Sequence, residues 1–133
     1  MKIEHINPEG RPAYPGLTQV VAATGGRTLY IAGQASFDAD GQLVGAGDYE
    51  AQTRQTCLNL VEALAAAGAK PDQIVSSTIY IAGLTDESFA AFSRGKQSAL
   101  DGNPMPPTTS TLVGVERLAY SEMLVEIDAI AVC

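Results

Sequence analysis

Residues 48–83, "DYEAQTRQTCLNLVEALAAAGAKPDQIVSSTIYIAG", decide the fold. Apolar side chains at Cys57, Leu58, Leu60, Val61, Leu64 and Ala65 recur on helical spacing behind Asp48, a residue type that caps helix N-termini. Gly68 and then Pro71 supply the stop, so a helix is predicted over residues 49–67. The β-branched run "IVSSTIYIAG" that follows predicts a strand.

Outward from this unit the pattern continues in both directions. Upstream, "KIEHI" reads as a short strand, and "TQVVAAT" and "RTLYIAG" as two β-rich runs joined through a Gly25-Gly26 hairpin loop. The loop "DADGQLVGAG" leads to the helix, with Asp40-Gly41 as its turn signal. Downstream, "LTDESFAAFSRGKQSAL" predicts a second helix with acidic residues in its first turn, although Gly95 within it costs about 1 kcal/mol relative to alanine. "DGNPMPPTT" breaks the pattern, and the strands "STLVGVERL" and "MLVEIDAIAV" close the chain, separated by a turn around Tyr120 and Ser121. The order is β-β-β-α-β-α-β-β, an α+β arrangement in one domain spanning residues 1–133, with a mixed sheet and two helices on one face.

Two helices cover one face of a sheet of five or six strands, yet several strands read as apolar on both. Leu29 and Ile31 oppose Tyr30 and Ala32, while Ile79 and Ile81 oppose Ile74 and Tyr80. The uncovered face is therefore expected to meet another subunit.

Composition narrows the function. With 133 residues, 46% of them hydrophobic, the chain can form a sizeable core. A net charge of -7 disfavours nucleic acid as a main partner, since binders of phosphate backbones show basic patches. No apolar stretch approaches the ~20 residues of a membrane span, and no signal-peptide pattern opens the chain, so no membrane partner and a soluble, cytoplasmic protein are expected. Cys57 and Cys133 form neither a disulfide framework nor a metal-ligand spacing, and Cys57 reads as a small core residue. Phosphate loops, HExxH, CxxC pairs and GxSxG elbows are missing, and the single histidine, His5, reads as a solvated surface residue.

The last strand is the place where chemistry remains possible. In "LVEIDAIAV" strand alternation puts Glu126 and Asp128 on one side with Leu124, Ile130 and Val132, so two carboxylates interrupt an apolar row. Glu126, flanked by Val125 and Ile127 on an interior strand, is placed either to exchange a proton with bound water or to form a structural ion pair with Arg117, Arg94 or a neighbouring subunit. Asp128 reads as structural. Gly33, at the end of "YIAGQ", is either a simple strand exit or a point where a backbone amide meets an anionic oxygen.

Taken together, "PGLTQVV", "LYIAGQASFDADGQLV", "EAQTRQTCLNLVEALAAAGAKPDQIVSSTIYIAGLTD" and "LVEIDAIAV" resemble the YjgF-type reactive intermediate deaminase (Rid) family, also labelled endoribonuclease L-PSP, in order and spacing. The resemblance implies a chorismate-mutase-like fold, a homotrimer closing into a central barrel, and small-molecule pockets between subunits. It also implies hydrolysis of reactive enamines and imines, such as 2-aminoacrylate, without metal or organic cofactor. The family's water-handling glutamate falls on Glu126, and the glycine whose amide meets the substrate carboxylate falls on Gly33.

Other family positions depart from the pattern. The clamping arginine of "P-A-R-[ST]" is replaced in "PPTTSTLVGV" by Ser110, or by Thr109 with the gap moved; the aromatic of the "PYSQ"-like motif becomes Leu17; an asparagine on the second helix becomes Ser93. A buried carboxylate that loses an arginine partner forfeits roughly 2 to 5 kcal/mol of binding. Either the substrate is not a small α-imino acid, or Arg94, Arg117 or Lys96 enters the pocket from another direction. The resemblance thus favours an enzyme, with a non-catalytic metabolite-binding trimer as the alternative; the acidic composition and lack of a histidine pair count against RNA cleavage.

Overall fold

Asp48 caps the first helix as its sequence predicts: its side chain accepts a hydrogen bond from the Ala51 amide, and the helix, α1, runs Tyr49–Ala66. Gly68 follows with φ +78°, a left-handed conformation that suits glycine where a helix stops. The computed structural model describes all 133 residues. Its strands are β1 (Lys2–Ile6), β2 (Val20–Thr24), β3 (Thr28–Gln34), β4 (Ile74–Ala82), β5 (Thr109–Val115) and β6 (Val125–Val132). A second helix, α2 (Asp86–Gln97), starts at Thr85, whose hydroxyl accepts from the Ser88 amide while Ser88 Oγ accepts from the Thr85 amide.

The main sheet has four strands in the order β3-β6-β4-β5. β6 lies antiparallel to both β3 and β4, while β4 and β5 run parallel, so the sheet is mixed. Both helices pack on one face of it. Leu60 and Leu64 of α1 and Phe92 of α2 meet Ile79 and Ile81 of β4 and Val125, Ile127, Ala129 and Ala131 of β6 in one buried cluster. Cys57 belongs to that cluster with 1% of its surface exposed, which bears out its reading as a core residue.

Three expectations need correction. β2 does not form a hairpin with β3: it pairs with β1 in a separate two-stranded sheet, and Gly25-Gly26 instead links the two sheets. A β-carbon on Gly26 would lie 2.8 Å from the Cys133 carbonyl oxygen, so this glycine is required by a close backbone crossing at the chain's end. The five- or six-stranded layer is accordingly four strands plus a pair. Ile74 faces the core, 4% exposed, because a bulge between Ile74 and Ser76 shifts the alternation by one residue.

Gly95 also finds its reason here. A β-carbon on it would sit 2.6 Å from the Glu50 carbonyl oxygen and 2.8 Å from Thr53 Cβ, so α1 and α2 touch through a glycine that helix propensity alone disfavours. Gln52 is fully buried beside this contact; its amide donates to Gly45 O and Glu122 O and accepts from the Leu124 amide, fixing the chain where it enters β6.

Candidate functional site

β6 alternates as its sequence requires. Val125, Ile127, Ala129 and Ala131 point into the core, and Glu126 and Asp128 lie half-buried on the opposite face, which no helix covers. Tyr80 of β4 is the cross-strand partner of Glu126, and its hydroxyl donates to Asp128 Oδ2 at 3.4 Å. The same face carries Tyr30, 81% exposed, and Val113 near the two edges of the sheet.

Glu126 has no ion-pair partner within the chain. The three ion pairs are Lys2–Glu4, Arg54–Glu50 and Arg94–Glu50, while the Arg117 guanidinium donates to the carbonyls of Leu118 and Ala119. The structural pairing with Arg94 or Arg117 is thus not formed. What lies against Glu126 instead is Gly33: a β-carbon there would fall 2.5 Å from Glu126 Oε2. The ladder between β3 and β6 breaks between Ile31 and Gln34, so Gly33 sits in a bulge rather than in a register pair.

Gly33 and Glu126 open into a cavity of about 650 Å³ together with Phe37, Asn59 and Tyr120. Asn59 of α1 donates to the carbonyls of Ala35 and Phe37, holding the loop after β3, and Phe37 meets Tyr120 edge to face at 6.1 Å.

The remaining candidates gather elsewhere. Leu17, Ser93 and Ser110 line a cavity of about 490 Å³ between α2 and the β4–β5 edge, walled by Phe92, Met105 and Leu112. Lys96 lines it too, with Nζ 3.6 Å from where a β-carbon of Gly16 would stand. Burial pushes the Lys96 ammonium below its ordinary range, partly opposed by Cys57, and burial pushes the Cys57 thiol up to about 12, partly opposed by Lys96. Thr109 belongs to neither cavity; its hydroxyl donates to Val75 O, and it lines a smaller groove with Ser76 and Thr78.

Within one chain the candidates therefore fall into two groups. Gly33 on β3 and Glu126 on β6 line one cavity toward the β3 end of the sheet, and Leu17, Ser93, Lys96 and Ser110 line the other toward the β5 end; β5 lies two strand spacings, roughly 10 Å, from β6 and three, roughly 14 Å, from β3. No three or more His, Cys, Asp and Glu side chains come together as a metal site, and no helix is long and apolar enough to cross a membrane. Strand period puts Tyr80 on the face opposite Ile79 and Ile81, but only the β4–β6 register sets it beside Glu126, so it is not among the expected site residues. Phe37 and Tyr120 could not be found that way, because long-range packing brings them together.

Comparison with known proteins follows the same lines. A family model described as endoribonuclease L-PSP matches residues 11–133. A solved structure of the Rid-family protein YyfB from Yersinia pestis, itself of unknown function, is 37% identical with a TM-score of 0.85 and full coverage of both chains. A RutC family protein of Synechocystis is 32% identical over 133 residues, covering 99% of this chain and 96% of that one. A mouse 2-iminobutanoate/2-iminopropanoate deaminase is 41% identical over 61 residues, 45% of this chain and 44% of its own.

Proposed function

The chain belongs to the endoribonuclease L-PSP family, the YjgF or Rid family, and on that premise we propose that it hydrolyses a small reactive enamine or imine in a pocket shared between subunits of a homotrimer. One observation carries this reading: Glu126, without a charged partner in its own chain, abuts the bulged backbone of Gly33 on the sheet face that the helices leave bare. The division of the candidates between opposite ends of the sheet supports the shared pocket. A β3 end from one protomer set against the β5 end of the next brings Glu126 and Gly33 to Leu17, Ser93, Thr109 and Ser110.

The chemistry asked of these groups is modest. An enamine takes a proton at carbon and gives one up from nitrogen to become the imine. The Glu126 carboxylate accepts a proton from water as the water oxygen attacks the C=N carbon, then passes that proton to nitrogen. The hydroxyl of the carbinolamine so formed gives up its own proton, which the same carboxylate relays to nitrogen; the C–N bond breaks as C=O forms and ammonia leaves, so imine plus water gives ketone plus ammonia. The Gly33 amide donates to an anionic oxygen of the substrate. Ser93, Ser110 and Thr109 hydroxyls orient it, and Leu17 forms an apolar wall.

The decisive assay follows enzymatically generated 2-aminoacrylate with and without the protein, beside imines of larger 2-oxo acids. Accelerated loss of at least one of these, abolished by Glu126→Gln, is expected. Full activity in Glu126→Gln would remove the water-handling role, and a monomer at micromolar concentration by ultracentrifugation would remove the shared pocket. Ser110 in place of the family arginine favours one second reading, a metabolite-binding role without turnover. That reading gains if no imine is consumed and Ser110→Arg restores nothing.

A further inference from the structure

Of the chain's three lysines, Lys2 and Lys70 stand in solvent, Lys2 beside Glu4, whereas Lys96 is half-buried and takes part in no ion pair. It lines the cavity between α2 and the β4–β5 edge, which at about 490 Å³ has the size of a small-molecule site. The walls are mainly apolar, with Leu17, Phe92, Met105 and Leu112 among them, and no Asp or Glu lines them. Nζ lies on the Gly16 side, 3.6 Å from where a β-carbon of Gly16 would stand, so no side chain from that residue covers it. Ser93, one helical turn before Lys96 on α2, and Ser110 of β5 share the lining.

An ammonium in such a place has lost part of its water and gains no carboxylate in return, so its surroundings favour the neutral amine. Burial accordingly pushes Lys96 below its ordinary range, with Cys57 partly opposing. A neutral amine with a free lone pair in an apolar cavity is the arrangement that makes lysine a nucleophile toward carbonyl carbon. We propose that Lys96 captures a neutral aldehyde or ketone with an apolar body in the cavity between α2 and the β4–β5 edge, as a Schiff base on Nζ. The apolar walls receive the hydrocarbon body of the ligand, and its polar end meets Lys96 and the two serines. This capture is a reaction separate from the imine hydrolysis and uses neither Glu126 nor a second subunit.

Nζ adds its lone pair to the carbonyl carbon, and the C=O π pair moves to oxygen, which takes one of the two amine protons to give a carbinolamine. The hydroxyl then leaves with the second proton as water while C=N forms, so amine plus carbonyl gives imine plus water. Both proton transfers suit the hydroxyls of Ser93 and Ser110, which accept and donate. The titratable side chains that face Lys96 are Cys57 from α1 and Tyr14 from the segment before β2; β4 and β5 present Ile79, Ser110 and Leu112 to the cavity. Burial pushes the Cys57 thiol up to about 12 and leaves 1% of its surface exposed, so it does not compete for the carbonyl.

The test is a competition among the lysines of the full wild-type chain. Protein at neutral pH is treated with a limiting amount of 3-methylbutanal and with cyanoborohydride, which reduces a Schiff base to a stable secondary amine, and peptide mass spectrometry compares Lys96 with Lys2 and Lys70. Lys96 is expected to be alkylated on the order of 10-fold faster than either, and to lose that preference in urea, where all three are equally solvated. With glycolaldehyde, which is polar and lacks the hydrocarbon body, the preference should fall several-fold. Alkylation of Lys96 should level off at a lower pH than that of Lys2 and Lys70, because the free amine is fully formed sooner. Equal rates at the three lysines, a preference that survives urea, the same preference with glycolaldehyde or a shared pH profile overturns the proposal. The comparison is internal to the wild-type chain, so no variant has to fold, and loss of the assigned adduct in Lys96→Arg confirms the position.

Discussion

Replacing Gly33 by alanine tests the geometry around Glu126 most directly. The added methyl would stand 2.5 Å from Glu126 Oε2, 2.9 Å from Cδ and 3.1 Å from Cγ, against the 3.4 Å at which contact becomes ordinary. The carboxyl must therefore retreat by about 0.9 Å. Gly33 is not among the glycines at positive φ, so alanine brings no backbone strain, and the group that has to move is the free end of a flexible side chain. The fold should lose no more than about 1 kcal/mol, within the range of ordinary single substitutions. Catalysis should suffer far more, since displacing a reacting group by about 1 Å costs on the order of 100-fold in rate. Urea unfolding and kcat on the best imine substrate, measured on the same preparation, give the two numbers. An unchanged kcat would show that the carboxyl does not act from its place beside Gly33, and a loss of several kcal/mol would show that Gly33 serves the fold instead.

Two further outcomes are expected. Gly95→Ala should destabilise by about 1 to 3 kcal/mol despite the better helix propensity of alanine, because the methyl would lie 2.6 Å from a backbone oxygen that cannot swing aside; a more stable variant in urea unfolding would contradict the close α1–α2 contact. Stability against pH should carry two opposed slopes. The buried Cys57 thiol stays protonated in the folded chain up to about 12, while its unfolded counterpart ionises near 9.0, so this contribution is complete below pH 9 and is lost as pH rises toward 12. Lys96 has the opposite sign: its folded pKa is lowered below 10.5, the unfolded chain binds more protons in that window, and stability rises with pH up to 10.5. Lys96→Met should abolish the rising contribution and leave only the fall, and thiol titration of native protein should count Cys133 but not Cys57; a pH profile unaltered in Lys96→Met would refute the burial of that ammonium.

Much of the fold was legible because it is written in local signals. Asp48, Gly68 and Pro71 bound the first helix through their own backbone chemistry, and the acidic first turn, Asp86 and Glu87, marks the second. Alternation in β6 puts Glu126 and Asp128 on the face away from the core, and apolar spacing in α1 sends Cys57, Leu60 and Leu64 inward. These follow from periods of two and 3.6 residues that any segment carries by itself.

Tertiary structure alone decided the rest. Whether β2 pairs with β3 or with β1 depends on which distant edge is free, and the two-glycine turn is compatible with either, so the local signal pointed to the wrong partner. One bulge at the head of β4 reversed the facing of Ile74, because an inserted residue moves every side chain beyond it to the other face. The same holds for the chemistry. Sequence supplied Glu126, Gly33, Ser110 and Lys96 as residue types; only the order β3-β6-β4-β5 separates them into two ends, leaves Glu126 without a cation and sets Lys96 without an acid. Local propensity fixes which groups a strand or helix presents, and long-range packing fixes what each of them meets.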